Sequence, residues 1–325
     1  MKSYRVGTIC LATNQGLGYL AKDFYDNGII DEVYVHKHTS RTNHYEWYPN
    51  RVQTIDELLE KIDILLMFET PFEWKVIPKA RAKGIKTVLM PMYECTYHPF
   101  PYEPDQIWCP SDLDMKFYQD KGHENCVRVD VPVDVAWKQR EKALVFVHNA
   151  GNGGLGGRNG TAELIKAMEY VKSPIKLIIR SQSHEYHSKD ERITFVNTSV
   201  PKEELWNEGD VFVFPEKFNG LSLPIQEAFA SGMLVMASMR FPNTSYLPLD
   251  PLIPVKGYKQ ERISVIFESA IIDPIDIAKT IDVFYNRDIT NYSNLGKKFG
   301  EKMSWKIQKE KYEALMSQLL GVQVS

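Results

Sequence analysis

Asp210-Val-Phe-Val-Phe-Pro215 runs directly into Glu216-Lys-Phe-Asn-Gly-Leu-Ser-Leu-Pro-Ile-Gln-Glu227, then Ala228-Phe-Ala-Ser-Gly232 and Met233-Leu-Val-Met-Ala237. The first apolar run reads as a strand buried on both faces, and the last as another. Between them lies a glycine-bearing loop, and then a helix with Pro224 at its start and Glu227 one turn in. Strand, loop, helix and strand in that order make one unit of a parallel, doubly wound sheet. A loop that opens onto a helix N-terminus gathers unpaired N–H groups and the positive end of the helix dipole, which suits a phosphate. Glu227 is set back far enough to avoid repelling that phosphate and to accept hydrogen bonds from a sugar hydroxyl. The stretch therefore predicts a nucleotide site.

The same rhythm extends through the chain. Apolar runs at Arg5 to Leu11, Glu32 to His36, Asp63 to Phe68, Lys86 to Met92, Gln106 to Pro110 and Cys126 to Val131 alternate with helix patterns at Gly18 to Tyr25, Ile55 to Lys61, Glu73 to Lys83 and Ser111 to Lys121. A charged segment, Asp134 to Lys142, interrupts the alternation and reads as a linker. It restarts with Ala143 to His148, Thr161 to Val171, Ile175 to Arg180, Ile193 to Val196, Lys202 to Glu208 and Val211 to Phe214. The chain of 325 residues is long enough for two domains of about 150 residues each. Residues 1–134 and 143–302 are the expected pair. The last segment, residues 303–325, contains an amphipathic helix pattern at Trp305 to Leu320, with Ile307, Tyr312, Leu315, Met316 and Leu319 apolar. It is expected to pack back on the N-terminal domain.

Composition narrows the function classes. With 43% apolar and 25% charged residues and a formal charge of -3, the chain is an ordinary globular protein without the overall basic charge of a nucleic-acid coat. Cys10, Cys95, Cys109 and Cys126 form no CxxC pair and read as reduced core thiols. Met1-Lys-Ser leads straight into a strand, and no run of about 18 apolar residues follows anywhere. A cytoplasmic protein without membrane attachment is expected, in the host cytoplasm if the source is viral.

Glycine-rich turns follow the first strand of each half. Gly16-Leu-Gly18-Tyr-Leu-Ala21 has GxGxxA spacing, and Gly151-Asn-Gly153-Gly-Leu-Gly156 has GxGxxG spacing. A dinucleotide site also wants an acidic residue ending the next strand. His36-Lys-His38 and Arg180-Ser-Gln182 stand there instead. Arg180 leaves open an NADP-dependent oxidoreductase, since it suits a 2′-phosphate. No Gly-Lys-Ser/Thr follows either loop, so a Walker site is excluded. Asp112-Leu-Asp114 has the spacing of a metal-binding DxD, but it follows Ser111 at a helix start, where capping accounts for it. His184 and His187 stand in a polar loop, and no His or Cys cluster has ligand spacing. No metal and no cofactor are expected.

The loop resembles the signature of the large retaining glycosyltransferase family that includes glycogen synthase and many group 1 transferases. There a strand ends in Pro and is followed by Glu-Gly-Phe-Gly-Leu-Pro-x-x-Glu-Ala. Here the matching segment is Asn219-Gly-Leu-Ser-Leu-Pro-Ile-Gln-Glu-Ala228. Val200-Pro-Lys-Glu-Glu-Leu205, Gly232 to Ser238, Asp273-Pro274, Ser304-Trp305, Pro110-Ser111 and Val131-Pro-Val-Asp134 fit as well, so the likeness covers most of residues 106–320. It implies a GT-B fold of two tandem Rossmann-like α/β domains with a cleft between them, and a metal-independent, retaining hexosyl- or pentosyltransferase. Carried over by position, Glu227 binds the nucleotide ribose. The backbone of Gly220, Leu221, Ser222 and Leu223 faces the diphosphate or sugar, and Gly16 and Gly18 line the phosphates. Arg158 and Lys217 are the nearby cations for the leaving group. The family's first glutamate is Asn219 here, an amide that donates as well as accepts. Glu216 stands three residues earlier as a replacement or a solvated loop residue. The family's Arg after the first strand is absent, because Phe146-Val147 is followed by His148-Asn149. These departures keep a non-catalytic nucleotide-sugar binder in view.

Acceptor chemistry is expected in the first half, at the C-terminal ends of strands. Phe68-Glu69-Thr70 and Pro91-Met-Tyr-Glu94 end two of them, and Glu94 and His98 are the catalytic candidates. Residues 36–51 read HKHTSRTNHYEWYPNR. Arg41, Trp47 and Tyr48 in this stretch suit either stacking on a sugar or phosphate contact with base stacking. A glycan or small hydroxyl acceptor and a hydroxylated base in DNA, as in viral DNA-modifying transferases, both fit.

Overall fold

The structure, a computed structural model, describes residues 2–152, 154–182 and 185–322. The chain divides into two compact units: residues up to Val131 with Ile263–Val265 and the segment from Trp305, and Pro132–Arg262 with Ile266–Ser304.

The first unit contains, in chain order, β1 (Val6–Cys10), α1 (Gly16–Asp26), β2 (Glu32–Val35), α2 (Ile55–Leu59), β3 (Ile64–Phe68), α3 (Val76–Ala82), β4 (Lys86–Met90), β5 (Gln106–Cys109), α4 (Asp112–Asp120) and β6 (Cys126–Arg128). Its strands form a parallel sheet in the order β2-β1-β3-β4-β5-β6. All of Ile64-Leu-Leu-Met-Phe68 is buried, as a central parallel strand covered on both faces requires.

The second unit contains β7 (Val145–Gly151), α5 (Thr161–Ala167), β8 (Lys176–Ser181), β9 (Ile193–Val196), β10 (Val211–Phe214), α6 (Leu223–Ala230), β11 (Leu234–Ala237), β12 (Val255–Arg262), β13 (Ile266–Ile272), α7 (Pro274–Phe284) and α8 (Thr290–Met303). Five strands pair in parallel in the order β11-β10-β7-β8-β9. Successive side chains of β7 serve opposite faces. Phe146 joins Leu164, Ile277 and Ile281 in one core, while Val147 joins Phe212, Ile225 and Phe229 in the other.

α9 (Trp305–Leu320) has the bounds read from its pattern and belongs to the first unit. Trp305 and Tyr312 each place an edge against Phe24 with centroids 5.0 Å apart, and the Tyr312 hydroxyl donates to Asp130 O at 2.8 Å. Ile307, expected on the apolar face, is exposed. Two further readings need correction. The expected helix at Lys202 to Glu208 is a single 3-10 turn, Lys202–Glu204. The antiparallel hairpin of β12 and β13 was not expected, because Val-Lys-Gly-Tyr-Lys-Gln-Glu-Arg is charged and mostly exposed and so reads as loop.

Candidate functional site

The winding of each sheet reverses once. In the second unit the chain steps from β7 to β8 and β9 on one side, then returns to β10 and β11 on the other. The loops after β7 and β10 thus flank the switch point, where open α/β sheets bind ligands. These are the two loops singled out by their sequence.

The loops touch. Lys217 N–H donates to Arg158 O at 2.8 Å. Gly160 has φ +71°, and a Cβ there would lie 2.1 Å from Pro215 O, so only glycine permits the approach. Beneath them, His148 Nδ1 lies 2.8 Å from Val213 O and Nε2 lies 2.8 Å from Thr161 Oγ1. A carbonyl can only accept, so Nδ1 carries the proton and Nε2 accepts from the Thr161 hydroxyl. Burial pushes the imidazole pKa down to about 4, and the neutral ring ties β7, β10 and α5 together. Gly153 of the GxGxxG stretch, and His184, lie outside the described residues.

Ser222 occupies the cap position of α6 without a side-chain capping bond, and its buried Oγ has no hydrogen-bond partner among the described residues. The same holds for both polar atoms of the Asn149 side chain at the end of β7, and for Gln226 Oε1. Gln226 follows Ser222 by four residues, on the same side of α6. Buried polar atoms without partners are uncommon in folded proteins. Here two of the three side chains flank the switch point and the third follows one turn along α6. Gly220, Leu221 and Ser222 are buried and Leu223 half-buried. Glu227 is set one turn back, with Oε1 3.9 Å from Lys202 Nζ. Sequence reasoning missed Asn149, Gln226 and Lys202; Asn149 had a signal, since it follows His148 at an expected strand end.

Three expectations change in this unit. Lys217 is not an isolated cation, because its Nζ pairs with Glu163 at 2.8 Å. Glu216 is neither solvated nor aimed at a ligand; it is wholly buried, 3.2 Å from Arg240 Nη1. Arg180 does not await a 2′-phosphate, because its guanidinium donates to Leu205 O at 2.6 Å and to Glu208 at 3.2 Å. That removes the residue on which the NADP reading rested.

In the first unit the switch point lies between β1 and β3. Gly18 sits in the first turn of α1, where a Cβ would lie 2.1 Å from Thr13 O, so close packing explains this glycine. Nothing lies within 4 Å of a Cβ at Gly16. Thr13 Oγ1 and Gln15 Nε2 are buried without partners among the described residues, beside the same helix start. Glu69, just past β3, adopts φ +56°.

Glu94 is buried near Asp114. Burial and then the Glu94 charge push the Asp114 carboxyl up to about 7. Ser111 Oγ accepts from Asp114 N–H at 3.0 Å, so capping accounts for the DxD spacing. His98 is packed among Phe100, Phe117 and Tyr118, and its Nε2 lies 3.0 Å from His123 Nε2. Burial, then His123 and Lys121, lower its pKa. His98, expected to serve an acceptor, thus has its Nε2 engaged within the unit.

Trp47 is half-buried, stacked on His44 at 5.0 Å and tilted against Tyr19 at 5.3 Å, and Arg41 is exposed. Tyr48 is a correction: it is wholly buried and meets Tyr25 edge-on at 5.1 Å, a core residue out of reach of an acceptor. All four cysteines are free.

No family model and no curated protein matches the sequence. Solved structures do match the fold. The Anabaena HepE structure in complex with UDP and glucose superposes with a TM-score of 0.69 at 11% identity, covering 97% of this chain and 100% of that one. Sucrose-phosphate synthase from Thermosynechococcus elongatus gives 0.66 at 12% identity, covering 98% and 99%. The pneumococcal O-GlcNAc transferase GtfA, in complex with UDP and GlcNAc, gives 0.60 at 13% identity, covering 79% of this chain and 57% of that one. The chain has the two-domain α/β fold of the GT-B glycosyltransferases.

Proposed function

We propose that the protein transfers a sugar from a nucleotide-sugar donor to a hydroxyl acceptor, with the donor held by the second unit. The observation that carries this reading is the start of α6. Buried Ser222 and the Asn149 amide present unpartnered polar atoms at the switch point, with Glu227 one turn behind. Helix N–H groups and hydroxyl or amide donors suit a diphosphate, and a set-back carboxylate suits ribose hydroxyls. Complexes of fold neighbours with UDP and glucose, and with UDP and GlcNAc, support the same class of donor.

In this reading the backbone of Gly220 to Leu223 stabilises the charge that develops on the leaving nucleoside diphosphate, with Arg158 as the nearby cation. The reaction is metal-independent and retaining, the departing phosphate itself taking the acceptor proton. On the first unit, Trp47 with Arg41 offers the acceptor platform. Acceptor turnover that falls steeply with salt and with Trp47→Ala marks a hydroxylated base in DNA, and turnover indifferent to salt marks a glycan or small hydroxyl compound.

Calorimetric titration with UDP-glucose and UDP-GlcNAc tests the donor assignment. Glu227→Ala should weaken donor binding roughly 10- to 100-fold, the worth of hydrogen bonds to a charged group. Undiminished binding removes the ribose assignment, and failure of every nucleotide sugar to bind removes the transferase reading.

A further inference from the structure

Asn219 stands where the resemblance places a glutamate, yet a carboxylate lies close by in the same loop. Glu216, Asn219, Ser238, Arg240 and Asn243 are each no more than 8% exposed. Arg240 spans two of them: Nη1 lies 3.2 Å from Glu216 Oε1, while Nη1 and Nη2 donate to Asn219 O at 3.2 and 3.3 Å. Asn243 Nδ2 donates to Glu216 Oε1 at 2.5 Å and to Ser238 O at 2.9 Å, and Ser238 Oγ donates to Glu216 O at 2.7 Å.

The network grips the loop at both ends of residues 216–219. Between these ends, Lys217 O accepts from Ala270 N–H at 2.7 Å and Phe218 packs on Phe267 with centroids 4.5 Å apart. The segment leading into Gly220 and α6 is thus anchored residue by residue. A buried ion pair is a poor way to gain stability, because apolar residues of like volume do as well or better. What an apolar pair cannot do is direct two N–H groups onto one carbonyl oxygen, which a planar guanidinium does.

We propose that Arg240 is a positioning residue of the donor site. It fixes the Asn219 carbonyl, and so the backbone from which the Asn219 amide and the N–H groups of Gly220 to Leu223 meet the donor. Glu216, braced by Asn243, is the counter-charge that lets the guanidinium be buried there. The proposal rests on the donor-site reading for its function and on the loop alone for its geometry.

Two variants separate geometry from charge. Glu216→Gln with Arg240→Met removes both charges and leaves neither unpaired, and Arg240→Lys keeps the charge but loses the fork. In both, amide hydrogen exchange across residues 216–223 should quicken about tenfold or more while β7 and β10 stay protected. UDP-glucose binding should weaken about tenfold, and adding Asn219→Ala should then cost less than about twofold, against its full effect in the wild type. Glu227→Ala, outside the network, should add its full effect. Loop exchange as slow as wild type in either variant, or full additivity with Asn219→Ala, overturns the proposal. If the wild type binds no nucleotide sugar, the transferase reading falls, and the exchange measurement still decides whether Arg240 holds the loop.

Discussion

A neutral imidazole at His148 makes the second unit sensitive to acid. Its folded-state pKa, about 4, lies below the ordinary value near 6.5, so between these limits the unfolded chain holds more protons and stability falls as pH falls. The full effect is about 3 kcal/mol at 1.36 kcal/mol per unit. Asp114, raised to about 7, works the other way: its burial favours the protonated form and loses stability as pH rises from near 4 towards 7. Urea denaturation at a series of pH values should therefore show His148→Gln with a flatter acid limb than the wild type. Equal slopes below pH 6.5 would remove the neutral-imidazole assignment. Removing one partner of the Glu216 and Arg240 pair should be worse than removing both, with Arg240→Met alone losing about 3–5 kcal/mol because Glu216 stays buried and unpaired. At this scale the sequence was legible only in part. Trp47 and Tyr48 are neighbours of similar character, yet one is half-exposed and the other wholly buried, and composition does not say which faces inward. Arg240 and Glu216 lie 24 residues apart, and only the pairing of β10 with β11 brings them together.

α1 shows what a glycine-rich turn is for. Gly18→Ala would drive a Cβ to 2.1 Å from Thr13 O, while Gly16→Ala meets nothing within 4 Å. The first should lose about 1–3 kcal/mol through overpacking against backbone. The second should be neutral or gain up to about 1 kcal/mol, since alanine favours the helix. Thermal denaturation of the two variants checks the contrast, and equal losses would refute it. The two glycines of one motif thus have separate reasons, which spacing alone does not distinguish. Buried strands such as β3 and β10 were legible because both faces are covered and the run is apolar throughout. The hairpin of β12 and β13 was not, since most side chains of β12 are charged or polar and exposed and its pairing is made by backbone, about which side-chain pattern says little.

Over the whole molecule, a fold shared at 11% identity rests on the alternation of strand and helix. α9 is the test case, because its Trp305 and Tyr312 cover Phe24 of α1, and Tyr312 also covers Trp108 of β5, far from it in the chain. Tyr312→Ala should lose about 3–5 kcal/mol, the usual cost of truncating a buried aromatic. Hydrogen exchange should quicken in α1 and β5 and not in β7 or β10; uniform quickening would show that the two units unfold together. This placement also bears on how the chain is made. The second unit has all its residues by Ser304, whereas the first must wait, with Phe24 and Trp108 uncovered, until α9 leaves the ribosome. A nascent chain is thus set to finish its second unit before its first, and the aromatic face awaiting α9 is the surface a chaperone would shield.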